Sequence, residues 1–234
     1  MVDDGSQDAT SEVAKMYDEV SLLRQKNMGV SSARNNGVMM AESKWIAFLD
    51  SDDVWHRDKL QKQVDFHKKN PDILISYTDE NWIRDALHVK VAKKFSKSVE
   101  NLYERSLSHC IIAPSSVMIK KKFFDDIGGF DESLEVCEDY DLWLRIMKEN
   151  KIALIDEKLI DKYGGHANQL SAKYWGMDRF RVRSLEALHV RYPDDKLLLD
   201  VLIEKYKILL TGAKKHNRFD DAFHYEQRLS ELSV

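Results

Sequence analysis

The chain has 234 residues, of which 43% are hydrophobic and 32% are charged, and its formal net charge is −4. This composition excludes a disordered chain, and the length suits one α/β domain with an appendage. A slightly negative chain has no global basic field, which argues against a nucleic-acid partner. The two cysteines, Cys110 and Cys137, lack metal-ligand spacing and indicate buried thiols in a reducing compartment.

No apolar run has the length needed to span a bilayer. Residues 1–6 contain neither the basic nor the apolar segment of a secretory signal. These two features predict a cytoplasmic location.

Apolar runs of strand length alternate with helical spacing as far as residue 170. The pattern predicts strands at 20–24, 44–49, 73–78, 88–91, 115–119, 152–155 and 159–163. It predicts helices at 9–17, 31–41, 56–69, 99–107, 120–126 and 138–149, and only helices after residue 171. Such alternation predicts an α/β domain over residues 1–170, with a mostly parallel sheet and helices on both faces, and an α-helical extension over 171–234.

The acidic loop Asp50-Ser51-Asp52-Asp53 directly follows the predicted strand 44–49. Ligands of open α/β sheets bind at the carboxyl ends of strands, so these carboxylates lie where chemistry is usually found. Closely spaced carboxylates repel one another unless a cation neutralises them, and hard oxygen ligands suit Mg²⁺ or Mn²⁺. The alternative is a solvated acidic turn in which Asp53 caps the helix that follows.

Other polar residues have two interpretations each. Asp4 lies in a turn, where its carboxylate either accepts from the imide N–H of a uracil or forms a simple Asx-type turn. Arg34 lies early in a helix and either pairs with a base or phosphate or is an ordinary surface residue. Glu138 and Asp139 lie in the first turn of a predicted helix. They either include a general base or are acidic only because the helix dipole favours negative charge at that end.

Six motifs occur in a characteristic order. They are Val2-Asp3-Asp4-Gly5-Ser6, Asn27-x-Gly29 with Ala33-Arg34-Asn35, Phe48-Leu49-Asp50-Ser51-Asp52-Asp53, Gly128-Gly129-Phe130-Asp131, Glu138-Asp139-Tyr140-Asp141-Leu142-Trp143 and His166-x-x-Gln169-Leu170-Ser171. Each motif is weak alone. Together, over roughly residues 1 to 171, they resemble the family 2 glycosyltransferases, which are inverting enzymes of the GT-A fold.

The resemblance implies a nucleotide diphosphate sugar as donor, with UDP as the favoured nucleotide, and Mn²⁺ or Mg²⁺ at its diphosphate. It implies that Asp52 ligates the metal directly, and that Asp50 and His166 complete the cation shell. A neutral imidazole at His166 suits either the cation or the diphosphate. The residues that the resemblance assigns to nucleotide binding are Asp4, Arg34, Asp50 and Asp53.

The resemblance also assigns the reacting groups and the acceptor. It implies Asp139 as the general base that takes the proton of the acceptor hydroxyl, with Glu138 as a supporting neighbour. The implied acceptor is a glycan or a lipid-linked sugar in polysaccharide, lipopolysaccharide or capsule synthesis. Trp143, one turn further along the same predicted helix, either lines the acceptor pocket or packs in the core, and core packing is the favoured interpretation.

One departure from the family concerns the start of the chain. Members normally have a strand, a helix and a second strand before the Asp-Asp-Gly-Ser turn, whereas Met1 lies next to that turn here. We therefore expect impaired donor binding, and the alternative function is a catalytically impaired module for binding or assembly. A nucleotidyltransferase is disfavoured because a Gly-rich phosphate loop is not visible in the sequence.

The helical extension has apolar faces that resemble antiparallel hairpins of the tetratricopeptide type. Packing against the catalytic domain or a partner is the favoured interpretation. The basic residues Lys173, Arg179, Arg181 and Arg183 indicate a solvated face or, less favoured, peripheral contact with anionic lipid at the inner face of the cell membrane.

Overall fold

The computed structural model describes residues 1–165 and 174–233. Its strands are β1 (Val2–Asp3), β2 (Leu23–Arg24), β3 (Trp45–Ala47), β4 (Asp53–Trp55), β5 (Ile75–Arg84), β6 (Leu87–Val89), β7 (Val117–Lys120) and β8 (Ala153–Tyr163). Its α-helices are α1 (Thr10–Ala14), α2 (Val30–Met40), α3 (Lys59–Lys69), α4 (Leu102–Ser108), α5 (Lys121–Ile127), α6 (Glu138–Glu149), α7 (Asp178–Arg191), α8 (Lys196–Lys215) and α9 (Phe219–Leu232). Strands are interspersed with helices up to β8, and helices alone follow it, as the sequence predicts for an α/β domain with a helical extension.

The central sheet has the strand order β3-β7-β5-β8-β4, and β6 pairs with the far end of β5. In this sheet β5 and β8 are parallel, whereas β3–β7, β5–β7, β4–β8 and β5–β6 are antiparallel. A separate parallel pair joins β1 to β2. The prediction of a mostly parallel sheet is therefore wrong in this respect, and the described sheet is mixed.

The physical reason is that alternation of strand and helix does not determine strand direction. A connection that contains a helix is long enough to return the chain to either end of the sheet. The segment between β3 and β5 even contains a further strand, β4, which the acidic composition of residues 50–53 conceals. The sequence also predicts two strands at 152–155 and 159–163, where the structure has the single bulged strand β8.

Helix α6 is buried on two opposite sides, because apolar residues surround it at helical spacing. Leu142, Trp143 and Ile146 belong to the core between the helices and the sheet. Tyr140 and Leu144 belong to a second core, which the helical extension completes. The Trp143 indole also donates to the Ile112 carbonyl at 3.0 Å, so its predicted role in the core is confirmed.

The extension packs on the preceding domain through α7, which lies against α6 and α8. Leu185, Leu188, Leu202 and Tyr206 form the centre of this second core, each at most 3% exposed. The favoured interpretation, packing against the domain, agrees with these contacts. The predicted boundary between residues 170 and 171 falls outside the described residues and stays a prediction.

Three of the basic residues considered for lipid contact have partners within the chain. Arg179 stacks on Trp175 at 3.6 Å, Arg181 pairs with Asp178 at 2.9 Å, and Arg183 donates to the Ser133 carbonyl at 3.2 Å. Lys173 lies outside the described residues. Among the residues that are described, none of the helices combines the length and the apolar character needed to cross a bilayer.

A pair of substitutions in α7 tests the packing of the extension. Leu185 is fully buried, so Leu185→Ala should lower the free energy of unfolding by about 2–5 kcal/mol through lost contacts and a cavity. Val190 in the same helix is 84% exposed, and Val190→Ala should change it by less than about 0.5 kcal/mol. Urea unfolding of both variants measures the difference, and equal stabilities would contradict the described packing.

Candidate active site

The acidic loop is held at the end of β3 by the core beneath it. Ile46 and Phe48 point into the core at strand periodicity, and the chain then leaves the sheet. The backbone N–H of Asp50 donates to the Ser115 hydroxyl at 3.0 Å, which ties the loop to the segment before β7. The loop ends where Asp53 begins β4, so Asp53 does not cap the following helix.

Arg34 joins the acidic loop to the start of α6. Its Nη2 atom lies 2.5 Å from Asp50 Oδ1, and its Nη1 atom lies 2.5 Å from Glu138 Oε1. Its side chain is 13% exposed, so it is not an ordinary surface arginine. Burial opposes the charge of Arg34, but Asp50 and Glu138 outweigh burial and raise its pKa.

The Ala33-Arg34-Asn35 motif also holds the Gly128-Gly129-Phe130 turn. The Asn35 amide oxygen accepts from the Phe130 N–H at 3.0 Å, and its amide nitrogen donates to the Phe130 carbonyl at 2.9 Å. Gly129 has φ +66, and a Cβ atom there would lie 2.9 Å from the Asn35 oxygen. The turn therefore needs glycine at this position both for its φ and for space.

Glu138 and Asp139 differ in their surroundings although they are neighbours at the start of α6. Glu138 is 6% exposed and paired with Arg34, whereas Asp139 is only partly buried. Burial and the negative charge of Asp139 raise the pKa of Glu138, and Arg34 opposes them incompletely because Asp50 shares it. Cys137, at the N-cap position, has the left-handed φ of 65° that begins the helix.

Asp139 also has a thiol partner. The Cys110 Sγ atom lies 3.2 Å from Asp139 Oδ2, and the Tyr140 N–H donates to Asp139 Oδ1 at 2.7 Å. The sequence indicates that Cys110 is a buried thiol but contains no signal for this contact. The two residues are 29 positions apart and meet only in the folded chain.

Asp53 lies opposite Lys162 where β4 pairs with β8. Burial raises the pKa of Asp53 to about 6, and its Oδ1 atom is buried without a hydrogen-bond partner. Burial lowers the pKa of Lys162, but the charges of Glu80, Asp53 and Asp139 outweigh burial and raise it. Lys162 is a site residue that the sequence does not reveal, since only the strand register brings it to Asp53.

Asp4 is placed at the beginning of α2, where its carboxylate receives backbone donors. Asp4 Oδ1 accepts from the Met28 N–H at 2.8 Å, and Oδ2 accepts from the Gly29 N–H at 2.9 Å. The Gln25 amide donates to the same Oδ1 at 2.8 Å. The acceptor contacts of Asp4 with Met28 and Gly29 span 24 and 25 positions, so Asp4 does not form the simple Asx-type turn that is its structural alternative. Its contact with a nucleotide base stays a prediction.

The three predicted metal ligands have different surroundings. Asp50 is paired with Arg34, Asp52 is exposed within electrostatic range of Asp53, and His166 lies outside the described residues. Their carboxylates and the buried, unpartnered oxygen of Asp53 are hard donors of the kind that Mg²⁺ and Mn²⁺ prefer, so the donor chemistry fits. Over residues 1–165 and 174–233, no group of three or more His, Cys, Asp or Glu side chains is arranged to hold a metal ion.

The structure thus brings Arg34, Asp50, Glu138 and Asp139 close together, and Lys162 lies within electrostatic range of both Asp53 and Asp139. Comparison with known proteins identifies the family of this chain. The family model described as Glycosyl transferase family 2 matches residues 1–128, which is more than half of the chain. The chain belongs to family 2 of the glycosyltransferases, and the predicted resemblance is confirmed.

Individual proteins agree with this assignment. The chain is 32% identical to an uncharacterized glycosyltransferase of Rickettsia prowazekii, RP339, over 72% of this chain and 55% of that protein. It is 31% identical to WfgD of Escherichia coli, a UDP-Glc:alpha-D-GlcNAc-diphosphoundecaprenol beta-1,3-glucosyltransferase, over 66% of this chain and 59% of that protein. The chain spans little more than half the length of these two curated relatives.

A solved structure shows the same fold. TarS 1-349 of S. aureus, in complex with UDP-GlcNAc, superposes with a TM-score of 0.77 over 99% of this chain and 71% of that chain. The two sequences are 17% identical, so the likeness concerns the fold alone. The predicted GT-A fold with C-terminal helices is thereby confirmed.

The raised pKa of Glu138 predicts a pH-dependent stability. Its folded pKa exceeds the ordinary value of 4.5, so the folded state binds more protons and its stability falls as pH rises from that value towards neutrality. Glu138→Gln removes this proton uptake. The free energy of unfolding of the variant, relative to the wild type, should rise by roughly 1 kcal/mol between about pH 5 and about pH 7.

Urea unfolding at several pH values measures this difference. Glu135→Gln is the matched control, because Glu135 is exposed on the segment before α6. The difference in the free energy of unfolding between Glu135→Gln and the wild type should stay constant with pH. A constant difference for Glu138→Gln as well would contradict a raised pKa at this buried carboxylate.

Proposed function

We propose that the chain catalyses inverting transfer of a sugar from a UDP-sugar to a hydroxyl of a glycan or lipid-linked acceptor. The observation that carries this proposal is the pair of contacts from Arg34 to Asp50 and Glu138. They join the acidic loop at the end of β3 to the beginning of α6. Donor binding and proton transfer need groups on two sides of one cleft, and these contacts supply that proximity.

The donor side is assigned to the acidic loop and α2. In this proposal Asp4 contacts the base, Arg34 contacts the base or phosphate, and Asp53 orients the ribose or the donor sugar. Asp50 belongs to the nucleotide site through the cation at the diphosphate. The name of WfgD includes UDP-Glc, and the TarS structure contains UDP-GlcNAc, which supports a UDP-sugar as donor. The donor sugar itself is not assigned.

Mn²⁺ or Mg²⁺ belongs to the same proposal. Asp52 would hold the ion directly, with Asp50 and His166 in its shell. When bound, the ion neutralises the charge that develops on the departing diphosphate. The exposure of Asp52 beside two further carboxylates supports this assignment, because an added positive charge relieves their repulsion.

Asp139 is proposed as the general base. The acceptor oxygen attacks the anomeric carbon, the bond from that carbon to the UDP oxygen breaks, and Asp139 takes the hydroxyl proton. Partial exposure supports Asp139 rather than Glu138, which is buried and paired with Arg34. Glu138 acts as the neighbour that holds Arg34.

The acceptor class is proposed from the relatives. The acceptor in the name of WfgD is a sugar on diphosphoundecaprenol, so a lipid-linked acceptor fits, with a product in surface polysaccharide or glycan synthesis. Such an acceptor would place the protein in the cytoplasm with peripheral contact at the inner face of the cell membrane. Residues 1–170 would form the catalytic domain and residues 171–234 the extension.

Three Asp→Asn variants test the proposal. Asp52→Asn should lower metal-dependent release of UDP by more than about 100-fold, since even outer-shell partners of metal ligands are worth about 10- to 100-fold. Asp139→Asn should lower kcat by about 100- to 10,000-fold while donor binding stays intact. Asp126→Asn is the control, because Asp126 is exposed on α5 and pairs with Lys122 on the same helix.

The measurements are release of UDP from sugar nucleotides, with and without a chelator, and calorimetry of UDP in the presence of Mn²⁺. Removal of the metal should abolish release, and added Mn²⁺ should restore it. Folded wild-type protein that binds UDP but never releases it from a donor would favour the alternative, a binding or assembly module. Full activity of Asp139→Asn would exclude this residue as the base.

A further inference from the structure

We propose that Cys110 is a positioning residue for Asp139, whose carboxylate is held in place by a hydrogen bond from the Cys110 thiol. This inference rests on the proposed function, in which Asp139 is the general base. It adds a residue that none of the family 2 motifs quoted above contains. The thiol donates from behind the carboxylate and does not itself react.

The geometry selects Asp139 as the acceptor of the thiol hydrogen. The Cys110 Sγ atom lies 3.2 Å from Asp139 Oδ2 and 3.6 Å from the Ile112 carbonyl oxygen. A thiol has one hydrogen to donate, and an ionised carboxylate is a stronger acceptor than a neutral carbonyl. The shorter contact is therefore also the chemically favoured one.

The thiol remains protonated at this position. Burial and the negative charge of Asp139 raise the pKa of Cys110 well above its usual range. A thiol that does not ionise is a hydrogen-bond donor and a poor nucleophile. This property distinguishes Cys110 from a reactive cysteine and suits a fixed donor beside a base.

The loop that carries Cys110 is anchored in the core. Ile112 is 1% exposed, and its carbonyl accepts from the Trp143 indole N–H at 3.0 Å. Trp143 lies on α6, one turn after Asp139. The donor and the acceptor of the thiol hydrogen bond are thus held by the same helix, so their separation is set by core packing.

Both oxygens of Asp139 have a donor on the protein side. Oδ2 faces Cys110, and Oδ1 accepts from the Tyr140 N–H at 2.7 Å. Each carboxylate oxygen has a second lone pair, which is available for an acceptor hydroxyl. Two donors fix the plane of the carboxylate and aim these lone pairs.

Other charged groups act on the same pair. Glu138 on α6 repels Asp139, and Arg34 on α2 and Lys162 on β8 attract it. The positive charge of Arg181 on α7 acts on Cys110, and its ion-pair partner Asp178 acts on Cys137. The thiol is the neutral member of this set, so its removal alters hydrogen bonding without changing the net charge.

Removal of the donor predicts a loss of turnover without a loss of donor binding. Cys110→Ala takes away the hydrogen bond that holds Asp139 Oδ2 in place, so kcat should fall by about 3- to 10-fold. Cys110→Ser keeps an O–H donor, and its kcat should stay near that of the wild type.

Cys137→Ala is the matched control, because Cys137 is the other cysteine near Asp139, is buried, and already has its left-handed φ without being glycine. Its kcat should match that of the wild type, and the KM for the donor should be unchanged in all three variants. An unchanged kcat in Cys110→Ala overturns the inference. An inactive wild type, or an active Asp139→Asn, overturns the proposed function instead.

Infrared spectroscopy of the S–H stretch provides a readout that does not need turnover. In a Cys137→Ala background the single remaining thiol is Cys110. Its band should lie at the low frequency of a donating thiol and should move to higher frequency when Asp139→Asn removes the charged acceptor. A band that does not respond to Asp139→Asn overturns the thiol–carboxylate contact.

Discussion

The site depends on one guanidinium that lies between carboxylates from different parts of the chain. Arg34 contacts Asp50 and Glu138 at 2.5 Å each and is largely removed from solvent. Carboxylates that converge in a cleft repel one another, and a buried charge is costly unless it is paired. Arg34 offsets part of that repulsion without a ligand. Loss of Arg34, Asp50 or Glu138 would leave a buried charge without its partner. The positions of α2, the acidic loop and α6 therefore depend on one another.

The carboxylates around Arg34 differ because their burial and hydrogen bonds differ. Glu138 is buried and paired, Asp139 is partly exposed beside the Cys110 thiol, and Asp53 is buried opposite Lys162. Burial is the main reason why the pKa values of Glu138 and Asp53 are raised. An arrangement of this kind suits a reaction that needs one carboxylate to accept a proton while others stay ionised near a cation. The register between β4 and β8 places Asp53 opposite Lys162, so the arrangement of charges depends on this register as well as on the motifs.

Helix α6 links the site to the rest of the fold. Its sheet-facing residues pack in the core of the α/β domain, and Tyr140 and Leu144 pack against the helical extension. The first turn of α6 carries Glu138 and Asp139, so packing on both sides of the helix holds these carboxylates in place. The extension therefore supports the geometry of the site, and the charge of its Arg181 acts on Cys110.

The sequence by itself determined the family, the α/β class, the position of α6 and the acidic loop, because local spacing and motif order are properties of the chain. It predicted mostly parallel strands and missed β4, because strand direction depends on how long connections return across the sheet. It left the role of Arg34 open and contained no signal for Lys162 or for the contact of Cys110 with Asp139. Those assignments join residues that are distant in the sequence, and Arg34 and Glu138, for example, are 104 positions apart. Only tertiary structure decides such contacts, since the register of strands and the packing of helices, rather than neighbouring residues, bring the charges together.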